Sequence, residues 1–237
     1  MPSFKYNILC TRALDNMLVY KAANNGISID DINFVETEPI VSENIINKIQ
    51  TLTAKKITVV FTSMNAVEAV TTQLKNIPEW NIYCVGGMTK ETVFNFFGEK
   101  SVKGSAKNAK TLAEKIILAC NIKDVVFFCG EQRLDEIPET LKTNAINVDE
   151  VVVYKTTLIP NFITKDYDGI LFFSPSAVHS FFSDNTISTN VVLFSIGNTT
   201  TATIKTYSSN KVITSEWPGK ENMIDLIIDY YKNKVSL

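Results

Sequence analysis

The feature that most constrains this chain is that it repeats itself out of order. TSMNAV at 62–67 returns as FSPSAV at 173–178, which sets Ser63 against Ser174, Ala66 against Ala177 and Val67 against Val178, 111 positions apart. CVGGMTKETV at 84–93 returns in the same register as SIGNTTTATI at 195–204, with Gly86 against Gly197 and Thr89 against Thr200. The first copy continues through VVFFCGEQRLDEI to AINVDEVVVYKT, and at an offset of 111 that continuation would run past the C-terminus. Its match stands at the other end of the chain. GISIDDINFVET at 26–37 resembles AINVDEVVVYKT at 145–156, and ILCTRALD resembles FFCGEQRLD after a one-residue gap. The repeat is circularly permuted.

Such a repeat predicts two similar domains, one continuous over 40–152 and one assembled from 1–36 and 158–237. Segments 33–38 and 152–158 then cross between them, and equivalent segments leaving equivalent domains can pair as a two-stranded β connector. A cleft between domains is the expected ligand site. The class of each domain follows from hydrophobic period. Short β-branched runs (YNILC, ITVVFT, NIYCV, DVVFFC, EVVVYKT, GILFF, NVVLFSI, KVITS) alternate with helix-period stretches such as 64–76, 108–121 and 220–232. That rhythm predicts α/β with mainly parallel sheet, here two flavodoxin-like domains. The runs are apolar at nearly every position, as strands covered on both faces require.

Composition removes several function classes. The formal net charge is −2, without blocks of one sign, so no surface is built to neutralise nucleic-acid phosphate or anionic lipid. No stretch approaches the ~18 apolar residues of a membrane span, and the opening run meets Asp15 before a signal core could form. A cytoplasmic protein is expected. Four scattered cysteines and one histidine, His179, argue against structural zinc, attached haem and a disulfide scaffold. Cys10, Cys84 and Cys129 sit in apolar runs and read as core thiols.

The repeated turns carry the functional signal. In each predicted domain a Ser/Thr turn follows an apolar strand and opens a helix (Thr62-Ser63; Ser174-Pro175-Ser176), and a Gly-then-Thr turn follows another (Gly86 to Thr89; Gly197 to Thr200). In an open parallel sheet ligands bind beyond the carboxyl ends of strands, against helix N-termini. These turns offer N–H and hydroxyl groups to an anion. His179 lies five residues after Ser174, which is not one helical face, so a Ser-His-Asp hydrolase is rejected. Phe172, Phe173, Phe181 and Phe182 read as core, not as a stacking platform.

An ordered set of segments resembles the uroporphyrinogen-III synthase family: ILCTRA, VVFTSMNAVEAV, the VGGMT turn, NAKTLAEKI, FFCGEQRLDEIPETL, VVVYKT, ILFFSPSAV, SIGNTTTATI and the acidic helix after WPGKENM. The chain departs from the bacterial pattern at Ala13, where Pro usually follows the arginine. The resemblance implies two α/β domains on a two-stranded ladder. It also implies a linear tetrapyrrole substrate, hydroxymethylbilane, with a charge of about −8 when its carboxylates are ionised. The implied reaction loses the terminal hydroxyl as water, forms an azafulvene and closes through a spiro-pyrrolenine with ring D inverted. It needs no metal and no cofactor. One chain already holds both domains, so a monomer is expected.

The family match makes Tyr154 the candidate general acid, since a phenol of ordinary pKa near 10 is protonated at neutral pH. The same segment at the other end of the chain holds Val35. Candidate substrate contacts are Arg12, Thr62, Ser63, Gly86, Thr89, Gly130, Ser174, Ser176, Gly197, Thr199 and Thr200. For Ser63, Ser174 and Ser176, helix capping is an equal reading, and both can hold. Thr89, Thr199 and Thr200 serve either a carboxylate or the turn itself. Gly86, Gly130 and Gly197 are expected to permit close backbone approach. A structural ion pair is favoured for Arg133, while Lys155 and Lys220 would add diffuse attraction. A non-catalytic two-domain binder of a small anion is the alternative, separable by whether the bilane is turned over. A flavin or nucleotide enzyme lacks its motif, since neither G-x-G-x-x-G nor a Walker loop occurs.

Overall fold

Period-2 burial on two faces organises the sheets. In β4 (Thr58–Phe61), Val59 and Phe61 enter one apolar layer with Trp80 and Phe128, while Val60 enters the opposite layer with Leu112 and Phe127. In β9 (Gly169–Phe172), Leu171 packs with Ile224 and Ile227, whereas Ile170 and Phe172 pack with Phe34 and Phe181 on the other side. Burial of each such side chain contributes about 1.5–3 kcal/mol, which is why the strands read as unbroken apolar runs. The computed structural model describes residues 4–235; residues 1–3 and 236–237, at the two ends of the expected discontinuous domain, lie outside it.

The chain divides into two units, Met1–Glu36 with Thr157–Leu237, and Thr37–Thr156. In the discontinuous unit the strands are β1 (Tyr6–Cys10), β2 (Ile27–Asp31), β9, β10 (Val192–Ser195) and β11 (Val212–Thr214), with sheet order β11-β10-β9-β1-β2 and parallel pairing throughout. In the continuous unit, β3 (Val35–Pro39), β4, β5 (Asn81–Val85), β6 (Val102–Ala106), β7 (Asp124–Gly130) and β8 (Asn147–Leu158) order as β3-β8-β7-β4-β5-β6. Setting β7, β8, β4, β5 and β6 against β1, β2, β9, β10 and β11 gives the same order in both sheets. The permuted repeat is thus a permuted topology.

The 34–40 and 153–159 segments run antiparallel: the Ile159 amide donates to the Phe34 carbonyl at 2.9 Å, and the Ile40 amide to the Val153 carbonyl at 2.8 Å. The α-helices are α1 (Asn16–Ala23), α2 (Glu43–Thr53), α3 (Met64–Thr71), α4 (Met88–Phe97), α5 (Ala109–Leu118), α6 (Glu136–Thr143), α7 (Pro175–Asp184), α8 (Asn198–Tyr207) and α9 (Lys220–Val235). Among the described residues, no helix is long and apolar enough to cross a membrane.

Candidate functional site

In the continuous unit the carboxyl ends of β4, β5 and β7 form one rim. Ser63 follows β4 and caps α3, its hydroxyl accepting the Asn65 amide at 3.2 Å. Thr62 stands half-buried beside it. After β5 the chain turns through Gly86 and Gly87. The positive φ of 67° at Gly87 is the conformation that requires glycine there, a residue the sequence reading missed. No side chain caps α4, so its first N–H groups face outward. Ser63 caps α3 and Asn108 caps α5, whereas α4, like α6, has no side-chain cap.

Tyr154 owes its place to a bulge. The β7–β8 register runs Phe128 against Val151 and Cys129 against Val152, then slips so that Gly130 faces Tyr154. Val153 is the extra residue. Strict alternation would send Tyr154 to the side of Val152; the slip returns it to the layer of Val151 and Val153, on the α3 side. Its ring lies on Gly130 so closely that a Cβ there would fall 2.4 Å from Cζ and 2.7 Å from the hydroxyl. Burial pushes the phenol above its usual 10, and the nearby Ser63 side chain offsets part of that rise. The group is protonated at neutral pH.

The discontinuous unit repeats the rim without the tyrosine. Ser174 caps α7, accepting the Ala177 amide at 3.1 Å, with Pro175 opening the helix and Ser176 next in the turn. Gly197 precedes α8, which again has no side-chain cap. Thr199 is exposed on its first turn, whereas Thr200 is 2% exposed and its repeat partner Thr89 6%. At Gly86 and Gly197 a Cβ would meet nothing closer than 3.7 Å, so of the three glycines only Gly130 is sterically required. Thr11, the counterpart of Gly130, donates its hydroxyl to the Leu171 carbonyl at 2.8 Å. Hydroxyls of Ser195, Thr201 and Thr214 tie the ends of β10, α8 and β11 together, with Thr201 and Thr214 2.6 Å apart; the sequence reading passed over both threonines.

The chain has two arginines, and they differ. Arg133 is engaged by Glu150 and by Asp135 at 2.8 Å, a structural ion pair as the sequence reading favoured. Arg12 is exposed on the loop after β1, and no ion pair among the described residues uses it. That loop is pinned by the Asn33 side chain on the Ala13 amide and Asp31 on the Leu14 amide, both at 2.9 Å. Lys155 pairs with Glu38 at 3.0 Å, and Lys220 lies 3.7 Å from Asp15. His179 bonds Tyr207 at 2.7 Å. Two concavities, of about 470 and 880 Å³, open at the opposite, amino ends of the strands, around Asn7 and Asp168 and around Thr58 and Asn147. Neither includes a rim residue.

Each rim therefore presents capped and bare helix ends to an anion, and one of them adds a protonated phenol. No curated protein sequence matches the chain. Two solved structures share the fold. A mutant uroporphyrinogen III synthase from the extremely thermophilic bacterium Thermus thermophilus has a TM-score of 0.70 at 10% identity, covering 98% of this chain and 100% of that one. The uroporphyrinogen-III synthetase from Helicobacter pylori has a TM-score of 0.66 at 16% identity, covering 95% and 99%. The family described as uroporphyrinogen-III synthase HemD matches residues 17–225. With that match over most of its length, the chain belongs to the uroporphyrinogen-III synthase family, cyclising lyases of tetrapyrrole biosynthesis.

Proposed function

We propose that the chain closes hydroxymethylbilane to uroporphyrinogen III, with Tyr154 as the general acid. The observation that carries this is a phenol held over Gly130 at a strand-end rim, where burial keeps it protonated. The substrate's terminal C–O bond breaks as Tyr154 gives its proton to the departing hydroxyl, which leaves as water while the pyrrole nitrogen supplies electrons to the azafulvene. The proton released when the ring closes restores the phenol. No net redox change occurs. Since the bilane loses water readily and closes unassisted without inversion, the protein's main task is to hold the folded geometry in which attack at the substituted position of ring D wins.

The substrate's carboxylates are assigned to Arg12, to the N–H groups at the bare ends of α4 and α8 around Gly86, Thr89, Gly197, Thr199 and Thr200, and to Thr62, Ser174 and Ser176. Helix N-termini favour negative charge, and a guanidinium meets a carboxylate in bidentate fashion. One chain carries both permuted copies, which supports action as a monomer. All four cysteines are unpaired, which suits the reducing cytoplasm.

The test is to supply purified protein with freshly prepared hydroxymethylbilane and separate the uroporphyrin isomers after oxidation. Predominant type III is expected, and Tyr154→Phe is expected to slow turnover by about 10². Type I alone, formed at the uncatalysed rate, would overturn the proposal.

A further inference from the structure

The amino ends of the strands in the continuous unit gather charge that the sequence scatters. Lys55 and Lys56 precede β4, Lys123 precedes β7 and Lys103 lies near the start of β6, and all four line the concavity of about 880 Å³. None of the four makes an ion pair among the described residues; Lys103 gives one hydrogen to the Lys100 carbonyl at 2.8 Å and keeps two. The lining holds two carboxylates in return, and both are engaged: Asp149 by Lys48 at 2.6 Å and Asp124 by the Asn147 side chain at 2.9 Å. A hollow lined by one sign of charge focuses its field on an anion. A second observation falls in the same place. Tyr83 lines the concavity with its ring over Gly104, is only 8% exposed, and its hydroxyl has no hydrogen-bond partner among the described residues. A tyrosine so buried ordinarily finds one. The wall also includes Leu52, Ile57 and Ile122.

Spacing selects the ligand. The sheet order sets β7, β4, β5 and β6 side by side, so Lys123 and Lys103 start three strand spacings apart, roughly 14 Å at about 4.8 Å each. A compact anion would meet both only with the two side chains stretched inward over an apolar wall. A ligand with anionic groups spread round an apolar body meets each where it stands. We infer that this concavity is a second, non-catalytic binding site for a polycarboxylated tetrapyrrole, with carboxylates on Lys55, Lys56, Lys103 and Lys123, the Tyr83 hydroxyl donating to one of them, and the ring faces on the apolar wall. The choice of a tetrapyrrole among anions of that shape rests on the proposed function, since the bilane and its product are polycarboxylates of this form. The site lies at the ends of the strands opposite Tyr154, so it holds its ligand apart from the reaction.

The experiment is lysine acylation of the purified protein across a titration with uroporphyrin III, read residue by residue by mass spectrometry. Lys55, Lys56, Lys103 and Lys123 should be protected as the porphyrin is added, while Lys205, in the last turn of α8 in the other unit, labels at a constant rate. The porphyrin concentration that half-protects Lys55 and Lys56 should rise about tenfold in the Lys103→Ala/Lys123→Ala double variant and about threefold in Tyr83→Phe, which keeps the ring and removes only the hydroxyl. In both variants kcat and KM on hydroxymethylbilane should stay at wild-type values. Equal labelling with and without porphyrin overturns the site. Pyrophosphate or ATP protecting the four lysines as well as uroporphyrin does, at equal concentration, overturns the assignment to a tetrapyrrole. A lowered kcat or raised KM in the folded double variant overturns its separation from the reaction. The footprint needs no turnover, so type I product alone would refute the proposed reaction while protection by uroporphyrin still upheld this site.

Discussion

Replacing Gly130 by alanine isolates the placement of Tyr154 from its chemistry. The added Cβ would lie 2.4 Å from the ring's Cζ and 2.7 Å from Cε2 and the hydroxyl, while ordinary contact begins at 3.4 Å. The backbones cannot part to make room, because Gly130 and Tyr154 are strand partners and the Glu131 amide donates to the Tyr154 carbonyl at 3.0 Å. The ring must therefore withdraw by about 1 Å, which displaces the hydroxyl with it. A displacement of that size at a reacting group costs up to about 10² in rate, and removing the acid altogether costs a similar factor. We expect kcat to fall about 10- to 100-fold with KM little changed. Overpacking should cost about 1–3 kcal/mol of stability, which leaves a domain of ordinary stability folded. The assay is isomer-resolved turnover beside urea unfolding of the same preparation. A folded Gly130→Ala protein with wild-type kcat, or a rate loss that merely tracks the unfolded fraction, refutes the reasoning.

Arg12→Ala should raise KM about tenfold, the equivalent of one charge-assisted hydrogen bond near 1.4 kcal/mol, with stability unmoved; KM at two ionic strengths checks it, since wild-type should be the more salt-sensitive. Glu150→Gln should cost about 1 kcal/mol at neutral pH, discounted for solvent screening, while turnover persists. Burial raises the Glu150 carboxyl, but hydrogen bonds from Lys142 and Arg133 outweigh it and hold the group below its ordinary 4.5. Its stabilisation is therefore complete above 4.5 and lost as pH falls through the lower native value, so the gap between wild type and variant should close in acid; a gap that persists there contradicts the assignment. Burial pushes the Cys10 thiol to about 12 and those of Cys84 and Cys129 to about 11, whereas Cys120 is exposed. A thiol reagent at mildly alkaline pH should label one cysteine quickly in the native protein and all four after unfolding.

The strand–helix rhythm and the permuted repeat are visible in the residues because burial on both faces of a parallel sheet demands long apolar runs, and those runs are β1, β4, β5, β7, β8, β9, β10 and β11. β6 escapes such a reading. VKGSA has one large apolar residue, and Gly104 lies under the Tyr83 ring, where a Cβ would come within 2.7 Å. The helix written as 64–76 stops at Thr71, because the Thr72 and Gln73 amides already close its last turn and Pro78 follows. Helix caps at Ser63 and Ser174 are legible because a capping serine acts on its own neighbours.

What the sequence determined by itself is whatever depends on local period and on the matching of distant segments: two permuted α/β units, the strand-end turns, and a tyrosine in one copy where the other has valine. What tertiary structure alone decided is which side chains meet. Nothing in VVVYKT announces that the strand will bulge at Val153, and a one-residue slip changes the face of every residue after it. That slip lays Tyr154 on Gly130, 24 positions earlier in the chain, and on the side of Ala66 and Val67 in α3. Likewise, only the fold shows that Arg133 is committed to Glu150 while Arg12 stays outside the described ion pairs, since two arginines after two similar strands look alike until their neighbours are in place.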